Sequence, residues 1–145
     1  MNSYHSPMNN LLIASILALT LSVAASAESL LVHLSHGTDN LHAASMALKV
    51  ATVGAQNGLE VTLFLDLEGV RIIDKRQPLD LQWGGSSTLE VLLGNYLKSK
   101  GKILVCPHCC QAAGIEPENL RSGAQILDAE TMGRMLVEAD KIFDY

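Results

Sequence analysis

No stripe of Lys and Arg interleaved with aromatics runs anywhere along this sequence. The 145 residues carry 10 basic and 15 acidic side chains, a formal net charge of −5. The electrostatic footprint of a phosphate-backbone binder is missing, which excludes nucleic acid as the expected partner. Aromatics are scarce too, with one Trp, three Tyr and two Phe. The core must therefore be aliphatic, built from Leu, Val and Ala. There are only three cysteines, Cys106, Cys109 and Cys110, all within one turn of chain. That is not the spread framework of a small disulfide-stapled fold, and at most one bridge can form within it. Ser-His-Asp order, H-E-x-x-H and G-x-G-x-x-G are all absent, so no cofactor motif is offered. Gly37-Thr38-Asp39-Asn40 is too short and too poor in glycine for a P-loop, and reads as a turn with a helix cap.

Charge is wholly absent before Glu28. Residues 11–23 form an apolar run of signal-peptide length, and Ala25-Ser26-Ala27 follows with the small-x-small pattern of a cleavage site. The run falls short of the roughly 20 residues that span a bilayer, and Ser15, Thr20 and Ser22 dilute it further. The expectation is a signal peptide over 1–27, cleavage near Ala27 and one domain over 28–145. That domain would be periplasmic or secreted, with no stable membrane insertion after cleavage. The positive n-region rests on the α-amino group and His5, and Met8 offers a second start.

The rest alternates strand and helix signals. Residues 30–34 read as a first strand. A helix over 41–57 places Leu41, Ala44, Leu48, Ala51 and Ala55 on one stripe and ends at Gly58. Residues 61–65 form a second strand, continuous enough to be buried on both faces. Val70 to Ile73 suits a short strand or an extended packing segment, and 75–86 a loop in which Trp83-Gly84-Gly85 is either a lid or plain surface. Ser87-Thr88-Leu89-Glu90 reads as a capping box with Ser87 as the cap. The helix it opens buries Leu89, Leu92, Leu93, Tyr96 and Leu97 and stops at Gly101, with Lys98 and Lys100 at the negative end of its dipole. A third strand over 102–105 runs into a short helix over 106–113. A helical turn follows over 116–120, then a strand over 124–127. Asp128 caps a last helix with Met132, Met135, Leu136 and Ala139 inward, and 142–145 close the chain as a strand. This order predicts an α/β fold: a single three-layer α/β/α sandwich with a mainly parallel sheet of about five strands, covered on both faces.

Cys106 ends a strand and opens a helix. The unpaired first amides and the helix dipole favour a thiolate there, which should fall below the free value of about 8.5. Pro107 suits the first helical position. Cys109 lies one turn on, within disulfide reach of Cys106, and a protonated His108 would add further stabilisation. Cys110 points elsewhere on the helix and reads as a packed residue, or as a reserve resolving thiol. The Pro-His pair is similar to that of periplasmic thiol oxidants of the thioredoxin fold, but the motif comes too late in the chain and no later proline precedes a strand. If the first and third strands are neighbours, His36 approaches the thiols. Cys106, Cys109, His108 and His36 would then suit a soft metal such as zinc or copper(I). His33 reads as a packed strand residue and His42 as a solvated or capping one.

Over residues 30–145 the chain resembles the DsrE/DsrF-like family of small sulfur-relay proteins. The resemblance is carried by Leu31-Val32-His33-Leu34-Ser35-His36-Gly37, by Gly69-Val70-Arg71 and by Lys102-Ile103-Leu104-Val105-Cys106-Pro107-His108-Cys109 running on to Gly114-Ile115. Ala139-Asp140-Lys141-Ile142-Phe143 completes it. It implies a flavodoxin-like sandwich, assembled as homo- or hetero-oligomers, in which a cysteine after the strand carries sulfur as a persulfide. Cys106 matches that position, and Cys109 matches an additional cysteine of some members. Export would set the two features in competition, because a Cys106–Cys109 disulfide forms at the expense of persulfide in an oxidising compartment. That argues against the tRNA-modification role of some relatives. Three readings follow. In the first, Cys106 is the nucleophile, Cys109 resolves, His108 assists, and the partners are a sulfur donor or acceptor protein or a small sulfur species. The second is a soft-metal module, and the third a non-catalytic oligomeric scaffold.

Overall fold

The computed structural model describes residues 27–145. The apolar run at 11–23 and Met8 lie outside them. Five strands and four α-helices follow in the order β1 (Ser29–Leu34), α1 (Leu41–Gln56), β2 (Glu60–Leu65), α2 (Leu89–Lys98), β3 (Lys102–Val105), α3 (Pro107–Ala112), β4 (Ala124–Ile126), α4 (Ala129–Glu138) and β5 (Lys141–Asp144). Single 3-10 helices occupy Leu67–Ile73 and Pro117–Asn119. The sheet order is β4-β3-β2-β1-β5, and every pairing is parallel. Right-handed crossovers that step from β1 to β2 to β3 place α1 and α2 together on one face. The return from β4 across the whole sheet to β5 sends α4 to the other.

The two faces are unequally covered. Beneath α1 and α2, Leu30, Val32, Leu34, Val61, Leu63, Leu65, Ile103 and Val105 pack with Ala44, Leu48, Leu92 and Tyr96 into one aliphatic core. The second face has only α4, none of whose residues is buried. Met132 and Met135 are half-buried as expected of an inward side, but Leu136 is 59% exposed. β2 is correspondingly buried on one face only, with Thr62 and Phe64 half-covered. These two findings correct the expectation of a sheet sealed on both sides. A single ten-residue helix is too short to roof five strands.

Three local expectations also change. Residues 67–73 form a 3-10 helix rather than a strand. Its Gly69 and the Gly37 of the β1 turn interlock: a Cβ on Gly69 would collide with the Leu34 carbonyl, and one on Gly37 would sit 2.6 Å from the Glu68 carbonyl. The cap of α2 is Thr88, whose side chain accepts from the Val91 amide, rather than Ser87. The amides of Leu89 and Glu90 are already taken by the carbonyls of Leu81 and Leu79, which moves the cap on by one residue. At the other end of α2 the left-handed position is filled by Lys100 (φ +64), not by Gly101. Gly101 is needed for a different reason, since the Tyr96 ring lies against its Cα. The Tyr96 hydroxyl there meets the carbonyl oxygens of Lys102 at 2.8 Å and Val61 at 3.1 Å.

Candidate functional site

In an all-parallel sheet the carboxyl ends of the strands share one edge. Leu34, Leu65 and Val105 are in register across β1, β2 and β3. The residues that follow them, Ser35, Asp66 and Cys106, therefore lie abreast at that edge, on the thinly covered face by strand alternation. The Cys106 amide extends the ladder by donating to the Leu65 carbonyl at 2.9 Å. Cys106 keeps an extended backbone, Pro107 starts α3, and the Cys110 amide returns to the Cys106 carbonyl at 3.0 Å.

The three thiols separate by environment. Cys110 is 1% exposed in the aliphatic core, and burial pushes its pKa up to about 11. This is the packed cysteine of the sequence reading. Cys106 and Cys109 are half-buried. The Cys106 side chain makes no capping hydrogen bond to the helix amides, so the expected thiolate cap is not formed. The pair is instead organised through Cys109. Its neighbours are the Cys106 side chain and the Leu67 amide. Burial comes first in raising the pKa of Cys109, followed by the neighbouring Cys106 side chain and by the nearby charges of Cys106 and Asp66. The Leu67 amide alone opposes them.

Several other residues meet this edge. Leu67, at φ +42, holds a left-handed conformation that an L-residue avoids, and it is this residue's amide that reaches Cys109. Asp66 stands between the thiols and His33, with its Oδ1 3.0 Å from His33 Nε2. His33 Nδ1 lies 2.7 Å from Asp144 Oδ1, its Nε2 lies 3.3 Å from the Ser35 hydroxyl, and its ring stacks on Phe64 at 5.4 Å. His33 is thus more than a packing residue. His36 does not reach the cysteines, because β2 separates β1 from β3. It pairs with Asp39 at 2.6 Å instead. Burial works against the Asp39 charge, but the bonds from His36 and the Gly37 amide outweigh it and hold the carboxyl below its ordinary range. His108 is exposed on α3. His42 is neither free in solvent nor a cap: it stacks on Trp83, with ring centroids 3.9 Å apart and planes 11° off parallel, and this pins the 75–86 loop to the start of α1. Among the described residues, no group of three or more His, Cys, Asp or Glu side chains is gathered so as to hold a metal ion.

The edge is braced from behind. Arg76 grips the buried Asp74 carboxylate with its Nε (2.9 and 3.2 Å) and Nη2 (2.8 Å), and donates from Nη2 to the Gly114 carbonyl just beyond α3 at 2.8 Å. Asp74 also bridges to Leu120. A cavity of about 670 Å³ lies at the opposite edge, between the strand starts and α4, where Leu31, Leu104 and Met135 line it. It contains none of the cysteines.

A parallel α/β sandwich with two half-buried thiols at a strand-to-helix turn defines the class. The DsrE/DsrF-like family matches residues 28–145, and the chain belongs to that family. It is 30% identical over 100 residues, 68% of this chain and 83% of the relative, to the uncharacterized protein MJ0989 of Methanocaldococcus jannaschii. Its fold is similar to that of the ychN protein of E. coli, with a TM-score of 0.68 and 17% identity over 81% of this chain and 99% of that one. It is also similar to the protein of unknown function MTH1491 of Methanobacterium thermoautotrophicum, with a TM-score of 0.56 and 9% identity at the same two coverages. Family membership points, at a coarse level, to a role of the sulfur-relay type.

Proposed function

We propose that this chain handles sulfur or thiols through Cys106, by persulfide carriage or by thiol–disulfide exchange with Cys109. The observation that carries this reading is the placing of two half-buried thiols, Cys106 and Cys109, one turn apart where β3 runs into α3 at the carboxyl edge of the sheet. The thiol at the end of the strand is placed to attack, and the one a turn on is within reach to resolve what forms on it. His108, exposed on α3 between the two cysteines in the chain, is proposed as an assisting charge. The domain is proposed to act after export and cleavage near Ala27, as a homo-oligomer. The uncovered apolar residues Leu136, Val137, Ile142 and Phe143 on α4 and the β5 edge support association.

Intact-mass measurement after incubation with polysulfide or with a disulfide tests the reading. Wild type is expected to gain one sulfur or to form a Cys106–Cys109 bridge. Cys106→Ser is expected to do neither, and Cys109→Ser to trap the adduct on Cys106. Adducts forming on Cys106→Ser as readily as on wild type would overturn it.

A further inference from the structure

The sheet ends in two edge strands, and they differ. β4 is three residues long, with Ala124 and Ile126 half-buried. β5 is exposed along all four of its residues, Ile142 at 58% and Phe143 at 49%. The Tyr145 amide donates to the His33 carbonyl, and the Tyr145 carbonyl accepts from the Ser35 amide. Peptide groups alternate in direction along a parallel strand. Lys141 and Phe143 therefore also turn theirs towards β1, and Ile142 and Asp144 turn theirs outwards. The outer edge offers the donors and acceptors of these two residues to another strand. The side chains divide by register. Phe143 pairs with Val32 and shares its core face, and Ile142 pairs with Leu31 on the face of α4. Both charges of the strand are held within the chain, Lys141 by Glu28 and Asp144 by His33. Apolar surface continues onto the end of α4. Leu136 and Val137 are 59% and 86% exposed there, outside the side that Thr131, Met135 and Glu138 turn to the cavity.

We propose that β5 pairs antiparallel with β5 of a second copy about a twofold axis at Phe143, joining two five-stranded sheets into one. This rests on the homo-oligomer reading and gives it a surface and a register. Outward peptide groups must meet outward ones, so only Ile142 and Asp144 can be opposed across the joint. Ile142 on Ile142 would set Asp140 against Asp144 of the second copy. Asp144 on Asp144 would set two carboxylates face to face. Like charges directly opposite destabilise a strand pair. Ile142 on Asp144 has neither fault, and it brings the two Phe143 rings together across the axis. The pairing is also isologous and closes, whereas β5 on the β4 of another copy would be a head-to-tail contact. Four residues of strand are too few to bury the roughly 800 Å² per partner of a stable interface, and Leu136 and Val137 complete it.

The test is a mixing experiment read by light scattering. Wild type is expected to contain an even number of chains. Phe143→Lys and Phe143→Glu each remove the apolar contact and set like charges across the axis. Each is expected to weaken association at least about a hundredfold and to halve the mass. A one-to-one mixture of the two is expected to regain the wild-type mass, because the axis then sets opposite charges together. Phe143→Cys, combined with Cys106→Ser and Cys109→Ser, is the milder probe should the charged variants not fold. Facing residues of a non-hydrogen-bonded antiparallel pair lie within disulfide reach, so it is expected to cross-link two chains on oxidation. Lys141→Cys in the same background is expected not to. A single chain in wild type would overturn the proposal and the homo-oligomer reading with it. An odd oligomer, undiminished mass in both charge variants, a mixture that stays at the lower mass, or no cross-link through Phe143→Cys would overturn the proposal alone.

Discussion

Leu67 is the one site residue whose backbone stores strain, and removing that strain has a calculable effect. Its φ of +42° lies in the left-handed region, where an L-residue costs roughly 1–2 kcal/mol. Glycine escapes that cost but loses about 0.4–1 kcal/mol through the freedom it gives the unfolded chain. Leu67 is 63% exposed, and comparing Leu67→Gly with Leu67→Ala cancels what the remaining leucine surface contributes. The expected difference is about 1 kcal/mol in favour of glycine, or about 4 °C in Tm for a domain of this size. Urea and thermal unfolding of the reduced proteins measure it. The same substitution should cost function, because the strained geometry holds the Leu67 amide on the Cys109 sulfur. With a freer backbone that donor loosens, and the pH midpoint of Cys109 alkylation should rise above its already raised value. Leu67→Gly no more stable than Leu67→Ala, together with an unmoved Cys109 midpoint, would refute the argument.

The other predictions test the surroundings of the site. At pH 8 an alkylating reagent should label Cys106 and Cys109 in the native protein and reach Cys110 only in denaturant; a third native adduct in the mass spectrum would contradict its burial. Gly69→Ala should cost about 1–3 kcal/mol, the range of overpacking, because the new methyl meets the Leu34 carbonyl, and a urea midpoint within error of wild type would show that the two turns do not interlock. Asp74 has its carboxyl pKa lowered first by the Arg76 side-chain bond, against the effect of burial. A lowered folded pKa gives stability that is present above the unfolded value of about 3.9 and fades as pH falls through the folded one. Asp74→Asn should therefore lose about 1–2 kcal/mol at pH 7 and much less at pH 2. An equal loss at both would mean that the charge is not what matters.

The layering was largely legible because its signals are local. The stripe from Leu41 to Ala55, the strands at 30–34, 61–65 and 102–105, and Cys106-Pro107 as a strand-to-helix junction all rest on spacing within a few residues. The unequal faces were not legible. Whether β2 is covered on both sides depends on how many crossovers return beneath the sheet, and only the strand order settles that. The 3-10 helix at Leu67–Ile73 misled for a related reason. Val70, Ile72 and Ile73 are buried like strand residues, but Gly37 and Gly69 let two turns interlock there, and a contact between distant glycines leaves no periodicity.

The site divides along the same line. The thiol pair was readable from its spacing, and the packed role of Cys110 from its place on the helix. Asp66, Leu67 and His33 were not, and His36 was brought too near because β1 and β3 were allowed to be neighbours. Yet a signal for Asp66 does exist. In a parallel sheet, the residue one past the end of each strand lies at a common edge, so Cys106 after Val105 has an in-register counterpart in Asp66 after Leu65 once β2 and β3 are adjacent. Hydrophobic strands ending in Ser35, Asp66 and Cys106 are three polar residues at one register, from three distant parts of the chain. His33, two residues before Ser35 and on the same face by strand alternation, meets Asp66 there at 3.0 Å. The strand order thus brings the thiol turn, Asp66 and His33 to one edge, a gathering that no local pattern in the sequence could show.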